Sequence, residues 1–255
     1  MTDRRSFIKT VAATAAMAAV APVLNSCKAK VPEDIEGDAP SPLKGEGSRL
    51  IVPGGAGLRI TGTFLDEISH DIPHQNWGWN EWLNDFRHMK AIGIDTVIMI
   101  RSGYRKFITW PCEYLLKKGC YMPSQDLLEM FLTISDNLGM KFYYGLYDSG
   151  QYWDTGDMSY ELESNKFVID EVWRKYGHHR SFKGWYISTE ISRKTKNCIP
   201  TFHEMGRMCK DVSGGLPTFI SPWIDGKKAV MGTNLSLKKG VSVRRHEEEW
   251  NEIFD

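Results

Sequence analysis

The run Leu58-Arg59-Ile60-Thr61-Gly62-Thr63-Phe64-Leu65-Asp66-Glu67-Ile68-Ser69-His70 decides the architecture. Its first eight residues read as a strand, and the turn after them is acidic. A doubly wound nucleotide-binding sheet needs a glycine-rich turn directly after its first strand, where backbone N–H groups cradle a phosphate. Gly54-Gly55-Ala56-Gly57 stands before the strand, on the wrong side for that geometry.

Strand-like and helix-like segments alternate from there on. Asn80 to Ile92 reads as a helix with Trp82, Leu83, Phe86 and Met89 on one face and Gly93 as its stop. Asp95 to Ile100 is a buried strand. Ser124 is placed to cap a helix carrying Leu127, Leu128, Phe131, Ile134 and Leu138, closed by Gly139. Lys141 to Tyr147 is a third strand, Lys166 to Tyr176 a third helix and Phe182 to Glu190 a fourth strand. Pro200 suits the first turn of a helix through Val212. Pro217 to Trp223 is a fifth strand and Val243 to Phe254 a fifth helix.

Such alternation implies parallel strands covered by helices. The acidic turn favours a (β/α)8 barrel over the alternative, a five-stranded doubly wound sheet. At roughly 40 residues per unit the chain supplies about five of eight units, so the expected form is a barrel truncated after the fifth.

Residues 1–27 read as an export signal. Asp3-Arg4-Arg5-Ser6-Phe7-Ile8-Lys9 looks like a twin-arginine motif, the apolar run Val11 to Val23 is too short to span a bilayer, and Leu24-Asn25-Ser26-Cys27 resembles a lipoprotein processing site. The expected location is outside the cytoplasm, on the cell envelope, with Cys27 lipidated and the membrane as a partner. Residues 28–47 hold Pro32, Pro40, Pro42 and few large apolar side chains, so they read as a disordered tether. Residues 48–255 form one domain.

Acidic and basic residues balance at 32 each, which gives no electrostatic case for nucleic acid. Cys112 and Cys120 are close enough in sequence to close a small disulfide loop, with buried free thiols the plainer reading. His70, Asp71 and His74 lie in a loop that does not align them for a metal, so loop histidines facing solvent or substrate are the better reading. No motif calls for a cofactor.

Barrel active sites lie at the C-terminal ends of the strands. Those ends carry Asp66 and Glu67, Arg101, Tyr147 and Asp148, Thr189 and Glu190, then Trp223 and Asp225. The loops add Trp77, Trp79, Trp110, Tyr152 and Trp153. Paired carboxylates suit glycosidic bond cleavage, and flat rings with polar edges suit sugars. Along the fourth strand Tyr186, Ser188 and Glu190 alternate onto one face.

Three segments carry a family resemblance: Gly62-Thr63-Phe64-Leu65-Asp66; Trp82 with Met89 to Met99; and Phe182-Lys183-Gly184-Trp185-Tyr186-Ile187-Ser188-Thr189-Glu190. From about Leu58 to Trp223 the chain resembles DUF4434, exported bacterial proteins grouped with glycoside-hydrolase-like barrels. The resemblance implies a retaining mechanism, with an acid/base glutamate ending the fourth strand and a nucleophile ending the seventh. Glu190 matches the first position, and Thr189 stands where those enzymes usually carry Asn. Asp66, Glu67, Trp77, Arg101, Tyr147, Asp148, Trp153, Tyr186 and Trp223 would bind a carbohydrate. The alternative is a non-catalytic carbohydrate-binding lipoprotein or an inactive gene fragment.

The signal makes a prediction that cell fractionation checks. Cys27→Ser should move the mature protein from the membrane fraction to the soluble one; fractionation with unchanged membrane association would exclude the lipid anchor.

Overall fold

A computed structural model describes residues 59–69, 76–191, 196–221 and 242–254. The strands are β1 (Gly62–Leu65), β2 (Thr96–Met99), β3 (Gly103–Tyr104), β4 (Phe107–Ile108), β5 (Lys141–Gly145), β6 (Tyr147–Asp148), β7 (Phe182–Ile187) and β8 (Thr218–Ile220). The helices are α1 (Trp79–Ala91), α2 (Glu113–Lys117), α3 (Leu127–Leu138), α4 (Tyr152–Thr155), α5 (Ser159–Tyr176), α6 (Cys198–Ser213) and α7 (Val243–Phe254).

Helix α1 starts where the Glu81 carboxylate accepts from the Gly78 N–H at 3.0 Å, and it buries Trp82 and Phe86 one turn apart. Helix α3 is capped by Asp126, not Ser124: its carboxylate accepts from the Glu129 N–H at 3.1 Å. The same carboxylate accepts from the Tyr176 hydroxyl at 2.6 Å, so the cap also ties α3 to α5. Gly139 closes α3 in the left-handed conformation, φ 60°.

Helix α5 begins at Ser159, well before Lys166. Its first turns bury Glu161, Ser164 and Asn165, so an apolar period could not show them. Their polarity has a use. Asn165 accepts from the Tyr147 N–H at 3.0 Å and donates to the Tyr147 carbonyl at 2.9 Å. Glu161 accepts from the Ser149 N–H at 3.2 Å and from the Ser149 hydroxyl.

The main sheet is parallel throughout, in the order β1-β2-β5-β7-β8. Each strand is added on the same side of the last. Right-handed crossovers then carry every connecting helix over one face. A doubly wound sheet reverses direction at a switch point; this one does not, which excludes that alternative. The helix-covered face buries Val97, Met99, Phe142, Tyr144, Trp185 and Ile187.

The other face is the inside of a curled half-barrel. Phe64 on β1 and Tyr186 on β7 meet edge to face with ring centroids 5.2 Å apart. In a flat sheet those strands would be about 14 Å apart, at roughly 4.8 Å per spacing, so the sheet must curl toward this face. Tyr143 on β5 reaches Phe219 on β8 at 4.5 Å by leaning across Gly184, where an added Cβ would lie 2.7 Å from the tyrosine ring. Phe64 and Phe219 remain 49% and 39% exposed at the two ends of this face.

The short strands β4-β3-β6 form a second sheet beyond the C-terminal ends of β2 and β5. Cys112, Cys120, Cys198 and Cys209 are free thiols, so the small disulfide loop is not formed. Burial pushes the Cys112 thiol up to about 12, and it donates to Glu171 at 3.3 Å.

His179 lies just before β7, between two carboxylates. Its Nδ1 is 2.8 Å from Asp136 and its Nε2 3.3 Å from Glu129. Burial alone would lower the imidazole, but the bonds to Glu129 and Asp136 raise it. The His179 bond lowers Glu129; burial would raise Asp136, and the bonds from His179 and Ser181 lower it. The imidazole's contribution is therefore full below its ordinary value and is lost as pH rises through the raised one. The carboxylates contribute above their ordinary values and lose it as pH falls. The clamp should be strongest near pH 5–6. Measured by denaturant unfolding, His179→Gln should cost roughly 2 kcal/mol there and distinctly less by about pH 9.

Candidate functional site

Three charged side chains from three strand ends meet. Arg101 follows β2, Asp148 ends β6 and Glu190 follows β7. One guanidinium nitrogen of Arg101 lies 3.8 Å from Asp148 and another lies 3.8 Å from Glu190. Asp148 is fully buried, Arg101 is 10% exposed and Glu190 is 41% exposed, so the group runs from floor to rim.

Asp148 is held on every side. It accepts from the Gly150 N–H at 2.8 Å and the Tyr152 hydroxyl at 3.2 Å. Its chain neighbours Tyr147 and Ser149 are the residues pinned by Asn165 and Glu161. Burial pushes the Asp148 carboxyl up to about 6; Arg101 and the two hydrogen bonds oppose this, and the Glu190 charge adds to it. Glu161, behind it, is also pushed up, chiefly by burial.

The Arg101 guanidinium lies over the Tyr104 ring at 4.9 Å. Both of its carboxylate contacts are longer than hydrogen bonds, and its buried Nε has no hydrogen-bond partner among the described residues. The arrangement offers a partly exposed carboxyl for proton transfer, a buried carboxyl that titrates near neutrality and a cation with donors to spare. Among the described residues no group of three or more His, Cys, Asp or Glu could hold a metal ion.

Several of the other expected site residues have partners of their own. Asp66 caps its own turn, accepting from the Ile68 and Ser69 N–H groups at 3.2 and 3.0 Å and from the Ser69 hydroxyl. Glu67 is buried. Trp77 packs edge-on against Trp82 at 4.9 Å. Trp110 is a core residue whose indole donates to the Tyr144 hydroxyl at 3.0 Å. Tyr147 is buried, and its hydroxyl donates to the Arg105 carbonyl at 2.6 Å. Tyr186 shares a 2.5 Å hydrogen bond with Ser221. The Trp153 side chain, Trp223, Cys27, His70 and His74 fall outside the described residues.

Tyr104, Glu161 and Asn165 carry no functional signal in the sequence. Tyr104 sits in a hairpin turned by Arg105-Lys106, with Arg105 at φ 55° and none of the glycine or asparagine that usually marks such a turn. Glu161 and Asn165 were hidden because buried polar positions break the apolar stripe.

The family model described as a domain of unknown function, DUF4434, matches residues 60–255. The chain belongs to that family. A solved structure from Bacteroides thetaiotaomicron, described as a candidate alpha-L-fucosidase, is 69% identical with a TM-score of 0.72. The match covers 82% of this chain and 63% of that one, so this chain spans less than two thirds of that relative's length. A GH2 beta-galacturonidase from Eisenbergiella tayi matches at 15% identity and a TM-score of 0.44, covering 64% of this chain and 25% of that one. A GH29 alpha-L-fucosidase from Bacteroides thetaiotaomicron matches at 15% identity and a TM-score of 0.42, covering 56% and 33%. No curated protein matches.

The buried carboxyl makes a testable demand on stability. A carboxyl raised from 3.8 to about 6 binds its proton more tightly in the folded state, so its contribution falls as pH rises through that window. Asp148→Asn cannot ionise. Between pH 4 and pH 7 the stability of Asp148→Asn relative to the parent should rise by about 2 kcal/mol, read from denaturant unfolding at each pH. A difference independent of pH would place the ordinary carboxyl value at this position.

Proposed function

We propose that this protein is an exported, lipid-anchored glycoside hydrolase whose proton donor is Glu190. The observation that carries the reading is the position of Glu190. It follows β7, the fourth strand of a parallel barrel-type sheet, and stands partly exposed above Arg101 and Asp148. Strand C-terminal ends are where barrels place catalytic groups. The candidate fucosidase at 69% identity makes alpha-L-fucosides the first substrate class to try.

In the retaining reaction a nucleophilic carboxylate attacks the anomeric carbon while Glu190 gives its proton to the glycosidic oxygen, which leaves as an alcohol. Glu190 then takes a proton from water as that water attacks the anomeric carbon and frees the nucleophile. Arg101 orients the Glu190 carboxyl and offers donors to sugar oxygens. Asp148 anchors Arg101 from below. The family resemblance puts the nucleophile on a seventh strand, and the main sheet of the described residues has five. Thr189, standing before Glu190 where the resemblance expects Asn, favours as a second reading a carbohydrate-binding protein that does not cleave.

Glu190→Gln separates the two. With 4-nitrophenyl alpha-L-fucoside and a panel of fucosylated oligosaccharides, the variant should lose about 100-fold or more in turnover of the natural glycans and less on the aryl glycoside, whose 4-nitrophenolate leaves with little protonation. Unchanged turnover of the oligosaccharides would remove Glu190 from the mechanism. Sugar binding without turnover by the unaltered protein would favour the second reading.

A further inference from the structure

The small sheet β4-β3-β6 joins the Arg101 cluster to the outer surface. In its register Tyr104 pairs with Asp148 on one side and with Phe107 on the other. Phe107 in turn bridges to Tyr121. Residues directly opposite each other across strands project from the same face. Tyr121, Phe107, Tyr104 and Asp148 therefore form one row on one face, while Gly103, Ile108 and Tyr147 share the other.

Exposure climbs along that row. Asp148 is fully buried, Tyr104 is 6% exposed, Phe107 is half-buried and Tyr121 is 60% exposed. At about 4.8 Å per strand, Tyr121 lies roughly 14 Å from Asp148, further than a single sugar ring reaches. The row is stiff. The Tyr121 N–H donates to the Lys106 carbonyl at 2.8 Å, and its carbonyl accepts from the Ile108 N–H at 2.9 Å. The Phe107 and Tyr121 rings stack at 5.4 Å, and Arg101 and Arg105 lie over Tyr104 at 4.9 and 5.1 Å. An exposed tyrosine held this firmly, in line with the buried carboxyl, is pre-organised to lie against a flat partner with a polar rim.

We propose that Phe107 and Tyr121 form a distal subsite that stacks a sugar ring of a neutral oligosaccharide whose terminal sugar occupies the Arg101–Asp148–Glu190 cluster. The proposal rests on the carbohydrate reading above and extends it: the preferred ligand is an oligosaccharide that spans both places. A carboxylated sugar in the cluster would meet two carboxylates against one guanidinium, so a neutral terminal sugar is favoured there.

The test is titration calorimetry on the full chain with methyl alpha-L-fucoside and 2′-fucosyllactose, alongside an array of neutral mono- and oligosaccharides. The parent should bind an oligosaccharide more tightly than its terminal monosaccharide. Tyr121→Ala should weaken the oligosaccharide by roughly tenfold, the scale of one lost aromatic anchor, and leave the monosaccharide unchanged. Tyr121→Phe keeps the ring face and should keep the affinity. The proposal is overturned if Tyr121→Ala binds the oligosaccharide like the parent, if both ligands weaken equally, or if the parent does not prefer the longer ligand. If the parent binds no sugar in the panel or on the array, the carbohydrate reading falls and this subsite with it.

Discussion

Each strand of the main sheet is added beyond the last in one direction, and by the right-handed rule for parallel strands such an order returns every crossover over the same face. The rest of the molecule follows from that constraint. One face receives all the helices and becomes the core, with Val97, Phe142, Tyr144 and Trp185 fully buried under them. The opposite face carries aromatic side chains that meet across the curl, Phe64 on Tyr186 and Tyr143 on Phe219. The same parallel sense gathers all the strand C-termini at one end, and only there can residues as far apart in the chain as Arg101, Asp148 and Glu190 come together.

The charge balance of that cluster is unusual for a site built for stability. Two carboxylates face one guanidinium, and the deeper carboxylate is fully buried. A partner that neutralised both would hold Asp148 down; a single arginine shared between them leaves burial in control. At the other end of the sheet the ratio is the same but the outcome differs. There His179 can take up a proton to match its two carboxylates, and all three groups shift toward their charged forms. One cluster works to keep the protein folded. The other retains a group that changes charge near neutrality.

The position of Asp148 depends on side chains that never touch it. Asn165 satisfies both backbone groups of Tyr147, and Glu161 binds the backbone and hydroxyl of Ser149. An apolar residue at either place would leave buried backbone groups unpaired, which costs more than a lost contact. The first turns of α5 therefore trade apolar packing for control of the strand end. The same strand end, as β6, carries the row from Asp148 through Tyr104 to Tyr121 out to the surface.

By itself the sequence determined the alternation of strands and helices, the rejection of a phosphate-binding first turn and the placement of Arg101, Asp148 and Glu190 at strand ends. These are local properties: apolar period, glycine stops and the identity of the residue after each strand. Asp66 was equally visible, and only the folded turn shows its carboxylate spent on Ile68 and Ser69. The cap at Asp126 in place of Ser124 was open to a local reading, since Asp126 stands three residues before Glu129 and accepts from its N–H; the early start of α5 and the Arg105-Lys106 hairpin were not, because one is stabilised by partners remote in the chain and the other is a turn without its usual residues. The tertiary structure alone decided which polar strand-end residues converge. Convergence depends on curl and register, and both come from the summed packing of two faces of a sheet, which no single segment encodes.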